Sequence, residues 1–159
     1  MAKPRRIQWD EQAAGANARR ELPALVKEYF AWMRAFLARD PPPAELHRAR
    51  LKTKRLRYTL ELFRPCYGPG LDTRLAALRP LQQVLGDLND AVASGELLAK
   101  SMPASPERAQ VERFLEERAA ALAQRFRKDW SEGFDAPGQE LWWCVYLARN
   151  ARARKGAVR

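Results

Sequence analysis

The sequence predicts an all-α fold, a bundle of five to six helices in a single domain that spans residues 1–159. Ala, Leu, Arg and Glu, all good helix formers, dominate the composition. No segment shows the sustained alternation of apolar and polar residues that a half-buried strand requires. Short segments rich in Pro or Gly separate the periodic stretches. Because 47% of the 159 residues are hydrophobic, the chain is apolar enough for one core.

The first quarter of the chain predicts two helices that meet at a proline. Residues 10–22 are polar and moderately helical, and Pro23 suits the first turn of a second helix, where a missing N–H costs nothing. The prolines at 41–43 end that second helix. Its apolar face is predicted to consist of Leu25, Tyr29, Trp32, Met33 and Phe36.

Two helices are predicted in the middle of the chain. The third covers about residues 44–64 and stops at a turn over 65–69. The fourth covers about residues 71–100, where leucines recur every three or four positions. Gly86 and Gly95 inside it are interpreted as bends or close helix contacts.

The C-terminal region, residues 106–153, predicts two more helices. Ser105 suits the N-cap of a fifth helix over roughly 106–130. A last helix over 138–153 contains Trp142 and Trp143, which are expected in the core or in an interface. The basic tail at 149–159 has two interpretations, an extension of an anion-binding surface or a solvated terminus.

The charge of the chain points to anionic partners. It has 29 Lys and Arg residues against 19 Asp and Glu residues, a net charge of +10. Such an excess favours nucleic acid, phosphate polymers or acidic surfaces. Cys66 and Cys144 lie far apart without a CxxC motif, so we expect two structural thiols, no metal and no cofactor. No apolar run resembles a signal sequence or a membrane span, and we expect a cytoplasmic protein.

The most informative segment is the basic helix around residues 45–64. Six Lys or Arg residues fall between positions 48 and 57, and no carboxylate lies among them. A helix face that serves only solubility usually intersperses Glu, because pairs of opposite charge four residues apart stabilise a helix. Here like charges repel unless an anion relieves the repulsion. The segment therefore predicts a track for a polyanion, about 15 Å long between residues 47 and 57.

Helical phasing divides this segment into a cationic side and a core side, at about 100° per residue. The cationic side is predicted to consist of His47, Arg50, Lys54, Arg57 and Tyr58, together with Glu61. Arg48 and Arg55 are predicted on one flank of this side, with Lys52 further round. The core side is predicted to consist of Ala49, Leu56, Leu60 and Phe63. Arg offers two parallel donors to phosphate, Lys a compact charge, and neutral His or Tyr one donor each.

Two alternatives stay open for these residues. The cationic side can be a solvated face that confers only solubility. His47 can be a ligand contact, a structural residue or a phosphoryl acceptor. The last role needs a metal held by carboxylates, and only Glu45 and Glu61 lie near His47 in sequence, at the two ends of the helix.

The same residues resemble the signature of the CHAD family, which is named for a conserved histidine in an α-helical domain. That signature has a His, an Arg three residues later, a KRLRY-like block and an acidic residue. Here it reads His47, Arg50, Lys54-Arg55-Leu56-Arg57-Tyr58 and Glu61. A second family-like segment at residues 78–98 carries Gln82, Gly86, Asn89 and Asp90. The resemblance covers roughly residues 15–100.

The resemblance implies a polyphosphate-binding module of two pseudo-repeated helical bundles with a basic cavity between them. It implies that His47, Arg50, Lys54 and Arg57 contact phosphate and that Arg48, Lys52 and Arg55 flank them, with Gln82 and Asn89 as braces. The chain carries one signature and resembles the C-terminal half of a complete domain. Either one half binds phosphate on an open face, or two chains form a homodimer that completes the basic cavity.

The predicted function is non-enzymatic binding of inorganic polyphosphate, in the cytoplasm and in association with polyphosphate granules. One alternative is nucleic-acid binding, which the charge permits although no helix-turn-helix, zinc-finger or RNA-binding signature is present. A third is an enzyme acting on polyphosphate or triphosphates, for which the sequence lacks a phosphate loop and clustered acids. No membrane partner is expected.

Overall fold

The computed structural model describes residues 14–149 and 151, and it confirms the all-α class. Within those residues there are six α-helices and no strand. The helices are α1 (Ala14–Leu37), α2 (His47–Leu62), α3 (Arg64–Tyr67), α4 (Pro69–Ser101), α5 (Pro106–Lys128) and α6 (Gln139–Arg149). A 3₁₀ turn at Pro43–Leu46 leads into α2, and a π-helical turn at Asp129–Phe134 follows α5.

Two helix pairs form most of the bundle. The long helices α4 and α5, joined by residues 102–105, pack as an antiparallel hairpin, and α6 packs on α1. Between these pairs lies α2, which contacts α4 more extensively than α1. The basic helix therefore has a neighbour on each flank.

An aromatic cluster holds the centre of the core. Phe30 of α1 stacks on Phe134 with ring centroids 5.2 Å apart, and Trp130 lies 5.5 Å from Phe30. The π-helical turn places Trp130 and Phe134 side by side, 5.2 Å apart, so that both rings enter the core. Trp143 of α6 is 1% exposed and completes the cluster. Aromatic pairs at such distances add to the free energy gained from burial alone.

The predicted core side of α2 is confirmed. Ala49, Leu56, Leu60 and Phe63 are all buried. Thr53 is buried beside them, and its hydroxyl donates to the carbonyl of Ala49 over 2.8 Å. Because that hydroxyl has a single proton, the phenol of Tyr29 in α1 donates to Thr53, also over 2.8 Å. This buried bond fixes α2 against α1.

The predicted helix break at Pro23 is wrong. One helix, α1, runs from Ala14 to Leu37 with Pro23 inside it. Leu22 and Val26 on either side of the proline are both buried, so packing of one apolar face outweighs the lost backbone hydrogen bond. The Pro23 carbonyl accepts a contact from the Cys144 thiol at 3.6 Å. Residues 10–13 of the predicted opening helix lie outside the described residues.

Several predicted boundaries also differ from the structure. Residues 43–46 form a 3₁₀ turn before α2, and the predicted turn at 65–69 instead contains most of the short helix α3. At both Gly86 and Gly95 an added Cβ would meet nothing within 4 Å, so the predicted close helix contacts are wrong. The last helix ends at Arg149. Residues 150 and 152–159 of the basic tail lie outside the described residues.

The two tryptophans of α6 have different environments. Trp143 is buried as predicted, whereas Trp142 is 38% exposed and stacks on Arg74 of α4. The Arg74 guanidinium lies between two rings, 3.7 Å from the centroid of Trp142 and 3.6 Å from that of Tyr146. Burial lowers the pKa of Arg74 below its ordinary value, because the charged form loses hydration. This stack joins the start of α4 to α6.

Candidate functional site

All eight residues predicted to bind the polyanion lie on α2, but the structure divides seven of them between two grooves. Helical spacing and contacts place His47, Arg50, Lys54 and Arg57 on the α4 side and Arg48, Lys52 and Arg55 on the α1 side. The exposed Tyr58 lies between the two sides, opposite the core. The division follows from the two neighbours of α2, because its core side packs between α1 and α4. We call Arg50, Lys54 and Arg57 the α4-side cations, and Arg48, Lys52 and Arg55 the α1-side cations.

Arg57 is the most firmly positioned of the α4-side cations. Its Nε donates to Glu61 Oε1 over 2.7 Å, and its Nη1 donates to Gln82 Oε1 of α4 over 2.8 Å. Two partners in different helices fix the plane of the guanidinium. Its Nη2 has no protein partner among the described residues and remains free to donate.

Arg50 and Lys54 precede Arg57 on the same groove. Both are half-buried, and within residues 14–149 and 151 neither makes an ion pair. The ammonium of Lys54 lies 5.7 Å from the centroid of the Tyr58 ring, which is 51% exposed. Two cations without counter-charges therefore stand beside an oriented third, and their mutual repulsion favours an anion in this groove.

The α1-side cations pack on aromatic rings instead. The Arg48 guanidinium lies 5.4 Å from the ring centroid of Phe36, and the Lys52 ammonium lies 5.3 Å from that of Trp32. Arg48 also approaches Glu45, at 3.9 Å. Cation–π contacts of this kind stabilise the Arg48 and Lys52 side chains in their positions against the aromatic rings of α1. Arg55 is exposed and has no ion pair in the described part of the chain.

His47 is the first residue of α2 and lines one end of the α4-side groove. Its Nδ1 is 3.3 Å from the carbonyl oxygen of Ala44. The ring borders a depression of about 250 Å³ that Asn89 and Glu96 of α4 also line. The acidic Glu96 makes this end of the groove less favourable to phosphate than the stretch from Arg50 to Arg57.

A larger cavity of about 520 Å³ adjoins the depression and shares Pro43, Ala44 and Glu96 with it. Its walls are mostly apolar side chains of the α4–α5 hairpin, with Glu112 and Glu116 of α5 at the edge. Three carboxylates, those of Glu96, Glu112 and Glu116, lie at this cavity. The cationic groove therefore ends where the cavity begins.

Two further positions on α4 lie one helical turn from Gln82 and were not predicted as part of the site. Arg79 lies one helical turn before Gln82, is exposed, and has no ion pair among the described residues. Gly86 lies one turn after Gln82 and presents no side chain, with nothing within 4 Å of its Cβ position. Arg79 could not be predicted as part of the site, because an isolated cation on a long helix is typical of a solvated face. Gln82 and Asn89 were expected as braces, and Gln82 has that position in the structure.

The fold and this groove define a class of protein, an all-α domain with a cationic surface on one helix. A family model of the CHAD domain matches residues 2–99. The chain belongs to the CHAD domain family. Domains of this family bind polyphosphate in general and are binding domains rather than catalytic folds. No curated protein and no solved structure matches the chain.

Within residues 14–149 and 151, no helix combines the length and the apolar character needed to cross a membrane. No group of three or more His, Cys, Asp or Glu side chains in that part of the chain is arranged to hold a metal ion.

Proposed function

We propose that the chain binds inorganic polyphosphate, without catalysis, in the groove between α2 and α4. The observation that carries the proposal is the row formed by Arg50, Lys54 and Arg57. The first two have no counter-charge within the described residues, and the third is oriented by Glu61 and Gln82. Three cations in one row over about 11 Å suit consecutive phosphates of an extended chain.

Within this groove each residue has a distinct role. Arg57 donates its free Nη2 to a phosphate oxygen, and Arg50 and Lys54 contact the next phosphates toward His47. Tyr58, half-exposed beside Lys54 and Arg57, offers its hydroxyl. The open position at Gly86 lets the polymer approach the backbone of α4. His47 contacts the polymer at the end of the groove, before the carboxylate of Glu96.

The α1-side cations contribute differently. These cations, Arg48, Lys52 and Arg55, raise the local electrostatic potential and attract the polymer from solution. They lie in the groove beside α1, however, and are not part of the row that contains Arg57. Their effect is general attraction, which added salt screens strongly. Removal of α4-side cations is therefore expected to weaken binding more than removal of the same number of α1-side cations.

The proposal is tested by titration of the chain with polyphosphate of defined length. The Arg50→Ala/Lys54→Ala variant is expected to bind at least tenfold more weakly, since each charge-assisted hydrogen bond contributes on the order of 1 kcal/mol or more. Its binding should also depend less on salt, because two fewer counterions are released. Wild-type affinity in this variant would show that the groove is not the site.

One observation favours a second candidate, binding of single-stranded nucleic acid. Tyr58 exposes a ring between the cations Lys54 and Arg57, and such a ring can stack on a base. Competition at matched salt separates the two functions. If single-stranded DNA displaces polyphosphate equally well, phosphate for phosphate, the groove does not select polyphosphate.

Of the two alternatives that the family resemblance leaves open, an open face or a homodimer that completes a basic cavity, we propose the homodimer, with polyphosphate driving the pairing. The groove is open to solvent, and a polymer longer than the row can contact a second molecule. Two copies that meet through their basic faces repel each other unless an anion lies between those faces, since each chain carries a net charge of +10. Sedimentation with and without long polyphosphate tests this, and an association state that saturating polymer leaves unchanged would contradict it.

A further inference from the structure

The outer half of the α4–α5 hairpin, residues 92–118, has no core of its own. Every one of its residues is exposed or half-buried, in contrast to Ala91 and Ala119 at its base, which are buried. Large apolar side chains are nevertheless present on it. Val111 is 47% exposed and Phe114 is 60% exposed, both on α5. An exposed Phe next to an exposed Val indicates a contact surface more than a solvated face.

Four residues of α5 form a stripe around these two. Glu107, Val111, Phe114 and Arg118 follow at spacings of four, three and four residues, all are exposed, and they lie within about 60° of one another around the helix. We call them the α5 stripe. It has an acid at one end, a base at the other and two apolar residues between them.

The α5 stripe is complementary to itself. If a second α5 lies antiparallel across it, with the two-fold axis between Val111 and Phe114, each Val111 faces Phe114 of the second copy. The same axis places each Glu107 opposite Arg118 of the second copy. This pairing follows from the spacing of four, three and four residues alone, because that spacing is symmetric about the midpoint of the stripe. A two-fold interface requires this kind of self-complementarity.

We propose that two copies of the chain form a dimer through the α5 stripe, in the absence of polyphosphate. Val111 and Phe114 of the two copies pack in the centre, and two Glu107–Arg118 ion pairs close the ends. The interface is small, so the dimer is weak and reversible. The partner is a second copy because, in the antiparallel arrangement, the acidic end of one stripe faces the basic end of the other.

The charges at both ends of the stripe are available for these pairs. Neither Glu107 nor Arg118 makes an ion pair within residues 14–149 and 151. The Glu107 carboxylate accepts hydrogen bonds from its own backbone N–H and from Ser105, which lower its pKa and keep it charged near neutral pH. An exposed carboxylate with two acceptor oxygens can still accept from the Arg118 guanidinium of a second copy.

The distribution of charge over the chain also favours contact at the hairpin. Residues 92–118 contain five acidic and four basic side chains, whereas the whole chain has a net charge of +10. Two copies that meet at the hairpins therefore bring together the least cationic parts of the molecule. Any approach through the basic faces has to overcome a much larger repulsion.

The proposed dimer is distinct from one that completes the basic cavity. Glu112 and Glu116 line the cavity on the His47 side of the hairpin, and Val111 and Phe114 lie about 100–160° away from them around α5. The stripe therefore lies on a different face of α5 from the one that borders this cavity and the adjoining end of the cationic groove. In the proposed dimer the groove between α2 and α4 remains open in each copy, and polyphosphate binding does not depend on the dimer.

Sedimentation of the full chain without polyphosphate, over a range of protein concentrations, tests this proposal. Wild type is expected to show a concentration-dependent dimer. Phe114→Gln should remain monomeric, and Arg118→Glu should weaken dimerisation about tenfold or more, because two pairs of like charges then face each other. The combined Glu107→Arg/Arg118→Glu variant should recover dimerisation to within about threefold of wild type, since both ion pairs re-form in the opposite sense.

The controls separate this proposal from a folding defect and from the proposed function. Leu62, 78% exposed on α2, lies outside the stripe, and Leu62→Gln should dimerise like wild type. Each variant should keep its helical circular dichroism, because all the altered residues are exposed. Phe114→Gln should also bind polyphosphate like wild type. A wild type that stays monomeric at all concentrations, or a charge-swapped variant that fails to recover, would overturn the proposal.

Discussion

Arg57 and Gln82 connect the basic helix to the helix that faces it. The Nη1 of Arg57 donates to Gln82 Oε1 over 2.8 Å, while its Nε donates to Glu61 within α2. The guanidinium thus has one partner on each wall of the groove. A cation held in this way loses less conformational entropy on binding phosphate than a free one does.

Loss of the Gln82 amide should weaken polyphosphate binding without unfolding the protein. In Gln82→Ala, Glu61 alone orients Arg57, and we expect affinity to fall roughly threefold, as for one modest hydrogen bond. Gln83→Ala is the control, because Gln83 bonds Asp87 on the exposed surface of the same helix. Isothermal titration of both variants measures the difference. Equal affinities in the two variants would exclude a positioning role for Gln82.

The buried hydroxyl of Thr53 should contribute to stability. Thr53→Val keeps the shape and β-branching but leaves the Tyr29 phenol without its acceptor in the core, which should cost about 1–3 kcal/mol. Thr59→Val is the matched control. Thr59 makes the same type of bond within α2, to the Arg55 carbonyl at 2.8 Å, but it lies near the surface. Its loss should cost less than about 0.5 kcal/mol.

Urea denaturation of the two threonine variants measures these free energies of unfolding. If Thr59→Val is destabilised as much as Thr53→Val, the bond from Tyr29 to Thr53 does not carry the effect. Polyphosphate binding by the folded Thr53→Val protein should remain close to that of wild type, because Thr53 lies on the core side of α2.

Substitution of two glycines of α4 by alanine should change the stability of the protein in opposite directions. At Gly70 an added Cβ would lie 2.6 Å from Tyr146 Oη, and the Tyr146 ring cannot move freely because it stacks on Arg74. Gly70→Ala should therefore destabilise the protein by about 1–3 kcal/mol. At Gly86 a Cβ meets nothing, and Gly86→Ala should stabilise the helix by about 0.5–1 kcal/mol. Thermal unfolding checks both signs, and a loss of stability in Gly86→Ala would contradict the open position.

Helical periodicity predicted the internal organisation of α2 correctly. The core side around Leu56 and Leu60 follows from 100° per residue, and both residues are buried. The fold class followed from composition and from the prolines and glycines between segments. These properties are local, so they can be derived without knowing the neighbours of a helix.

Properties that depend on tertiary contacts could not be derived in this way. The break expected at Pro23 is absent because buried residues on both sides hold α1 together. The two grooves beside α2 exist because α1 and α4 lie on opposite flanks, and no pattern in residues 47–63 specifies which helix packs where. For the same reason Glu96, which is far from His47 in sequence, was not expected beside it.

The central claim is that the groove between α2 and α4, and not the total charge of α2, binds polyphosphate. It is tested by the dissociation constants of two variants that each remove two positive charges, Arg50→Gln/Lys54→Gln and Arg48→Gln/Arg55→Gln. Gln keeps much of the side-chain length in both. We expect the first variant to bind at least tenfold more weakly than wild type and the second to lose less than about threefold. Equal losses in the two variants would contradict the claim.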